Sequence, residues 1–281
     1  MWGLAFVTPA LALLGALHVV PVAYAFWLSL VAWRVGAGPP SFVGLGNFRA
    51  LFEDPGVWAT LTTSGTFLVL DVLVILAAGF LLALALHARP RGSGLLCALA
   101  LAPWATTAVV AGVIWRWILE PDVGLLTLLA GDWGRAALMT PGGARVSVVV
   151  ADAWRTLGFA VVFLLAGLQA IDREVYAAAR IDGAGGWSAV WYVTLPLLRP
   201  VLVLVVILLT LHALNSMEVI WVVTGGGPVR STETASLRVY REVFTYFDLG
   251  AGAAWAVVLL LANGMLAAAY LRSSRASSAA A

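Results

Sequence analysis

The chain has 281 residues, 62% of them hydrophobic and only 11% charged, with a formal net charge of +2. A water-facing domain carries about 25% charged residues, so this composition excludes an ordinary soluble fold and makes lipid the solvent. The small net charge, without basic patches interleaved with aromatics, excludes nucleic-acid binding, and the single Cys97 excludes an intrachain disulfide or a Cys-based zinc site.

A membrane span needs ~17–25 apolar residues, and six segments qualify, at about 4–33, 61–88, 95–118, 146–170, 200–223 and 249–271. They predict an all-α fold, a polytopic membrane protein with six transmembrane helices in a single transmembrane domain over 1–281. The first segment lacks a basic leader, and its apolar run is roughly double the ~7–15 residues of a signal sequence, so it reads as a retained span. Pro9 and Pro21 inside it are tolerable because neighbouring helices satisfy the freed carbonyls. Breakers such as "VGAGPPSFVGLGNF", "RPRGSG", "EPDVG", "TPGGAR" and "TGGGPVRSTET" separate the spans. The second span carries Asp71, whose partner stays open between Arg116, Arg155 and water.

Charge inside a span costs about 2.5–3.5 kcal/mol on insertion scales, so such groups face protein or a water-filled cavity. The fourth span holds Asp152, Trp154 and Arg155; the acid and the base, at i and i+3, can pair on one helix face. Two roles stay open for them, lining a solute path with Trp154 or locking the span structurally; Arg155 also hints at tolerance of an anionic solute. The fifth span offers "HALNSMEV". Asn215 and Glu218 read as path residues, with Glu218 alternatively solvated at the outer interface and His212 a packed polar residue. His18, His87 and His212 are scattered, so no metal site is expected.

Placing the N-terminus inside puts Arg89, Arg91, Arg173, Arg180, Arg199, Arg272 and Arg275 on the inner side, at higher density than the outer Arg residues. Both termini are then inside. The Trp residues, Trp33, Trp58, Trp115 and Trp117 among them, read mainly as interfacial anchors. Every basic residue is Arg. A Walker A loop needs Lys, so no ATP site of the usual form lies in this chain.

The segment "IDREVYAAARIDGAGGWSAVWYVTLP" (171–196) is unusually patterned for a connection. Its composition predicts a helix from about Asp172, broken at Gly183, then a second amphipathic piece running into Pro196. A Cβ at Gly183 would clash or refuse the required φ. Such a helix–Gly–helix suits either a groove on another protein or the plane of the lipid headgroups.

The segment resembles the cytoplasmic coupling loop of importer-type ABC transporter permeases, whose pattern is EAA-x3-G-x9-I-x-LP. Ala177, Ala178, Ala179, Gly183, Val193, Leu195 and Pro196 stand at that spacing. Ala177 occupies the family's Glu position, with Glu174 upstream. "FVGLGNF" (42–48), "LAPWATTAVVAGVIWRWI" (101–118), "VADAWRTLGFAVVFLLAGLQAI" (150–171) and "VTGGGPVRSTETASL" (223–237) are similar to the carbohydrate-uptake branch. "TGGGP" resembles the first of its two permease subunits, the type related to maltose, trehalose and glycerol-3-phosphate systems.

The resemblance implies a pathway subunit, not an enzyme, in the cytoplasmic (inner) membrane of a prokaryote. Its implied partners are a second permease forming a heterodimer, two cytoplasmic ATPase subunits, an extracytoplasmic solute-binding protein and the lipid bilayer. No cofactor is expected on this chain; ATP and Mg belong to the ATPases. A cytoplasmic coupling loop over 171–199 would engage the ATPase through Glu174, Ala177, Ala178, Ala179, Asp182, Gly183, Leu195 and Pro196. Asp152, Trp154, Arg155, Asn215 and Glu218 would line the path, and Gly225, Gly226 and Gly227 would meet the binding protein. The rival reading, an ion-coupled secondary transporter, leaves 171–196 unexplained. An intramembrane serine hydrolase is disfavoured because His212 and Ser216 share one helix and no GxSxG occurs.

Overall fold

The computed structural model describes residues 2–88 and 93–279. Arg89 and Arg91, used above for orientation, and the side chain of Arg275 lie outside the described residues. Among the described residues, five helical stretches are long and apolar enough to cross a membrane: Val7–Ser29, Pro55–His87, Pro141–Gln169, Trp187–Asn215 and Leu249–Tyr270.

The elements run α1 (Trp2–Leu14), α2 (Val20–Ser29), β1 (Val31–Ala32), β2 (Ser41–Phe42), α3 (Gly46–Glu53) and α4 (Pro55–His87). There follow α5 (Ser93–Leu101), α6 (Ala108–Ile118), α7 (Leu125–Ala130), α8 (Asp132–Met139) and α9 (Pro141–Gln169). The chain continues through α10 (Arg173–Ile181), α11 (Trp187–Ala189), α12 (Leu195–Asn215), α13 (Glu218–Thr224), α14 (Ala235–Phe244) and α15 (Leu249–Ala279).

Three expected spans differ from their hydropathy outlines. The first ends at Ser29, where the chain turns into a two-stranded ribbon pairing Val31 with Phe42 and Ala32 with Ser41. The third, expected over 95–118, is two helices. Pro103 has no N–H to continue the first. Thr106 Oγ1 donates to the Pro103 carbonyl at 2.6 Å, and Thr107 Oγ1 caps α6 by accepting from the Val110 amide. The fifth, expected over 200–223, begins earlier and stops at Asn215; α13 starts afresh at Glu218.

The chain groups into two compact units, residues 1–62 with 234–281, and residues 63–233. In the first, Leu51, Val57, Ala235, Ala254 and Trp255 form the core. Asn47, from the "FVGLGNF" stretch, donates both amide hydrogens, to the carbonyls of Ser29 and Val31, at 2.9 Å each. Those carbonyls lie where α2 gives way to β1 and would otherwise lose their partners. Gly250 lets α15 approach the same place, since a Cβ there would collide with the Val31 carbonyl.

The second unit is arranged around α9. Thr140 caps its start and Pro141 occupies its first position, where a missing N–H costs nothing. Its buried face carries Ser147, Val148, Asp152, Ala160, Val161, Leu164 and Leu168. Without water to drive helices together, close approach depends on small residues. Gly158 admits the Ala100 carbonyl and Trp104, Gly167 admits Leu198 and Val201 of α12, and Gly112 of α6 admits Val222 of α13.

Asn47→Ala is expected to orphan the two carbonyls and lower stability by about 1–3 kcal/mol, read as a depressed thermal unfolding midpoint in detergent. Asn47→Asp, which cannot donate, should recover none of the loss.

Candidate functional site

The sequence-predicted residues fall into three places, all within residues 63–233. At the centre of α9, Asp152 is fully buried. His212 Nε2 of α12 lies 2.9 Å from Asp152 Oδ2, and Ser216 Oγ donates to Oδ1 at 3.4 Å. Arg155 stands 3.6 Å from Oδ1, so the expected i, i+3 pair is present. Arg155 Nη2 and Thr156 Oγ1 each lie 3.3 Å from His212 Nε2. A carboxylate held away from water needs this many partners.

Asp71 of α4 joins the group. Its carboxylate, that of Asp152 and the His212 ring offer atoms within 4.8 Å of one another, the spacing of groups that surround a positive charge. Arg155 already supplies one such charge. Arg116, the other partner open for Asp71, turns instead to Glu120 at 3.3 Å and to the Val223 carbonyl at 2.9 Å.

Trp154 lies beside the cluster's helix but packs edge-to-face on Trp115, ring centroids 6.1 Å apart. Asn215 and Glu218 are exposed and flank the break between α12 and α13. Asn215 Nδ2 donates to the Leu211 carbonyl at 2.7 Å, and Glu218 Oε2 accepts from the Met217 amide. Sequence reasoning thus placed Asp152 and Arg155 as a pair and left Arg155 among the partners open to Asp71, but it did not join His212 to them or bring Asp71 to Asp152. The available signal was the i, i+4 spacing of His212 and Ser216, two polar groups facing one way on an apolar helix.

The second place is the 171–196 loop. Glu174 sits in the first turn of α10 and Arg180 in its last, each favourable toward the helix dipole. Helix α10 ends in a Schellman arrangement. Gly183 N donates to the Arg180 carbonyl at 3.2 Å, and Ala184 N donates to the Ala179 carbonyl at 2.8 Å. Gly183 has φ +84, with open space around its missing Cβ. Its requirement is therefore conformational; the expected clash is absent.

The return arm is tied back. Tyr176 and Thr194 hydroxyls meet at 3.1 Å, and Ser188 Oγ bonds the Gly185 backbone at both its N–H and its carbonyl. Residues Val190–Thr194 wind at π spacing just before Pro196, which has no N–H to donate to the preceding turn. No residue of α10 is buried. Glu174, Ala177, Ala178, Asp182, Gly183 and Pro196 are exposed, Ala179 and Leu195 half-buried. Ile181 is 87% exposed and Tyr192 80%, with Trp187 and Trp191 also open.

The third place is "TGGGP". Gly225 ends α13 in the left-handed conformation, and Gly226 also has positive φ. The turn closes on itself: Thr224 and Thr232 hydroxyls meet at 2.7 Å, and Thr232 Oγ1 donates to the Gly227 carbonyl. Gly226 is buried, Gly225 and Gly227 half-buried, and the exposed tip is Val229 and Arg230. Arg230 is anchored to buried Glu233 at 2.6 Å.

Broken and continuous apolar helices, a buried polar cluster and exposed, internally fixed loops define a polytopic membrane protein. Residues 75–274 match the family described as binding-protein-dependent transport system inner membrane component, and the chain belongs to it. It is a multi-pass inner-membrane permease subunit. It is 34% identical to the sulfoquinovosyl glycerol transport system permease protein SmoG of Agrobacterium fabrum, over 94% of this chain and 87% of that one. It is 35% identical to the trehalose/maltose transport system permease protein MalF of Thermococcus litoralis, over 88% and 84% of the two chains. The sn-glycerol-3-phosphate transport system permease protein UgpA of Agrobacterium fabrum is also 35% identical, over 79% and 76%. A solved bacterial alginate ABC transporter, in complex with an alginate pentasaccharide-bound periplasmic protein, has the same fold: TM-score 0.82 over 96% of this chain and 93% of that one, at 19% identity.

Gly183→Val is expected to fray the end of α10, because a β-branched residue resists positive φ. Hydrogen exchange at residues 181–186 should quicken several-fold, while Gly183→Asn, tolerant of that region, should stay near wild type.

Proposed function

We propose that this chain forms half of the translocation pathway of an ATP-driven importer and is worked from the cytoplasm through residues 171–196. The second half is a different permease chain; two ATPase subunits, carrying ATP and Mg, supply the energy, and an extracytoplasmic binding protein delivers the solute. Both termini face the cytoplasm in this reading. The observation that carries it is the loop itself, which fixes its own geometry by capping and hydrogen bonds yet leaves α10 and its aromatic return arm uncovered. A segment resting on lipid would have no use for two hydrogen-bonded arms and a specified turn. A segment seated in a partner's cleft must be rigid to transmit force.

The solute is a sugar or sugar-like molecule. The relatives named for sulfoquinovosyl glycerol, trehalose/maltose and sn-glycerol-3-phosphate support that class. Asp152, Trp154, Arg155, Asn215 and Glu218 are the proposed path residues of this chain. The guanidinium of Arg155 faces Asp152 and His212. Gly225, Gly226 and Gly227 shape the turn that presents Val229 and Arg230 to the binding protein.

Ile181→Asp tests the coupling reading. In vesicles holding both permeases and the ATPases, solute-stimulated ATP hydrolysis should fall at least about tenfold, equivalent to about 1.4 kcal/mol of lost coupling, with unchanged membrane insertion. Undiminished stimulation would contradict the assignment. For the solute, a thermal-shift screen of the cognate binding protein is expected to single out a sugar or polyol derivative.

A further inference from the structure

We propose that Asp71 and Asp152 hold one proton between them, making the meeting point of α4, α9 and α12 an intramembrane proton-binding site. Asp71 is fully buried, and neither of its carboxylate oxygens has a hydrogen-bond donor among the described residues. Asp152, by contrast, is met by His212, Ser216 and Arg155. The two carboxyl groups nevertheless lie close, each with an oxygen within 4.8 Å of the other and of the His212 ring. Two carboxylates sharing a buried site cannot both stay ionised.

The charge count points the same way. Asp71 on α4, Asp152 and Arg155 on α9, and His212 on α12 are the titratable and charged groups that meet there. Two carboxylates against one guanidinium leave one negative charge when the imidazole is neutral. A divalent ion would reverse the imbalance and crowd Arg155, which already approaches the imidazole at 3.3 Å. One proton brings the sum to zero. It also supplies the missing donor: a protonated carboxyl gains an O–H, so Asp71 can donate to Asp152 where two acceptors would otherwise face each other. His212 cannot provide that donor through Nε2, which is directed at Asp152.

The proton ties α4 to the cross-linked pair α9 and α12.

The test uses the permease purified from membranes with its accompanying subunits. Infrared spectroscopy at neutral pH is expected to show a buried protonated carboxyl band that shifts on deuteration and vanishes in Asp71→Asn. Asn mimics the protonated acid and has no proton to lose on unfolding, so D71N should insert, fold and melt no lower than wild type at neutral pH. Asp152→Asn, which removes the anion facing Arg155 and His212, should lower the melting point clearly. Absence of the band, its survival in D71N, failure of D71N to fold, equal losses in D71N and D152N, or an Asp71-dependent shift with Na+ or Zn2+ would each overturn the proposal.

Discussion

Buried charge in an apolar solvent is the constraint on which the larger unit depends. Asp152 cannot reach water, so its helix must stand where α12 can offer His212 and Ser216 to it. That requirement fixes the rotation of both helices about their axes. Nearer the cytoplasmic end in the proposed orientation, Gly167 lets Leu198 and Val201 come close, a second tie between the same pair. The two helices so joined are also the two that flank residues 171–196. A displacement applied to the loop therefore reaches both of them together, and neither can yield by turning. If the loop is the handle proposed above, the helices behind it are already clamped by these polar ties.

The loop and the clamp are built from different chemistry. Within the loop, backbone hydrogen bonds and a left-handed glycine make the turn, and one hydroxyl pair, Tyr176 with Thr194, closes it. Apolar residues there face outward, Ile181 above all. Inside the spans apolar residues face outward, and Asp71, Asp152, Arg155 and His212 meet at one junction. On the far end of α13, the Gly-rich turn spends its hydroxyls on its own carbonyls and exposes Val229 and Arg230. A rigid turn with a short exposed tip is suited to brief docking, because little conformational entropy is lost when a partner arrives.

Much of this was legible before the structure, for physical reasons that differ by element. Long apolar runs such as 61–88 must be helices if they are to cross lipid at all, and α4 and α9 follow. Gly183 was legible because only a few residues tolerate the left-handed position that ends a helix. The Asp152–Arg155 pair was legible because i, i+3 spacing is local geometry. Hydropathy read over a span-length window averages across the short breaks at 102–107 and 216–217 and merges the helices on either side into one apolar run. The first depends on Pro103 and a Thr cap; the second falls where Ser216 turns toward Asp152 of another helix. Asp71 was harder still. Its neighbour is 81 positions away in the chain, and no local pattern announces which helix α4 will pack against.

The central claim is that residues 171–196 sit in a cleft of a cytoplasmic ATPase subunit. A photo-crosslinking residue placed at Ile181, activated in intact membranes, tests this most directly. The expected result is a crosslink to the ATPase whose yield changes when nucleotide is bound. Crosslinks confined to lipid, or labelling of position 181 by an impermeant reagent added from outside the cell membrane, would contradict it.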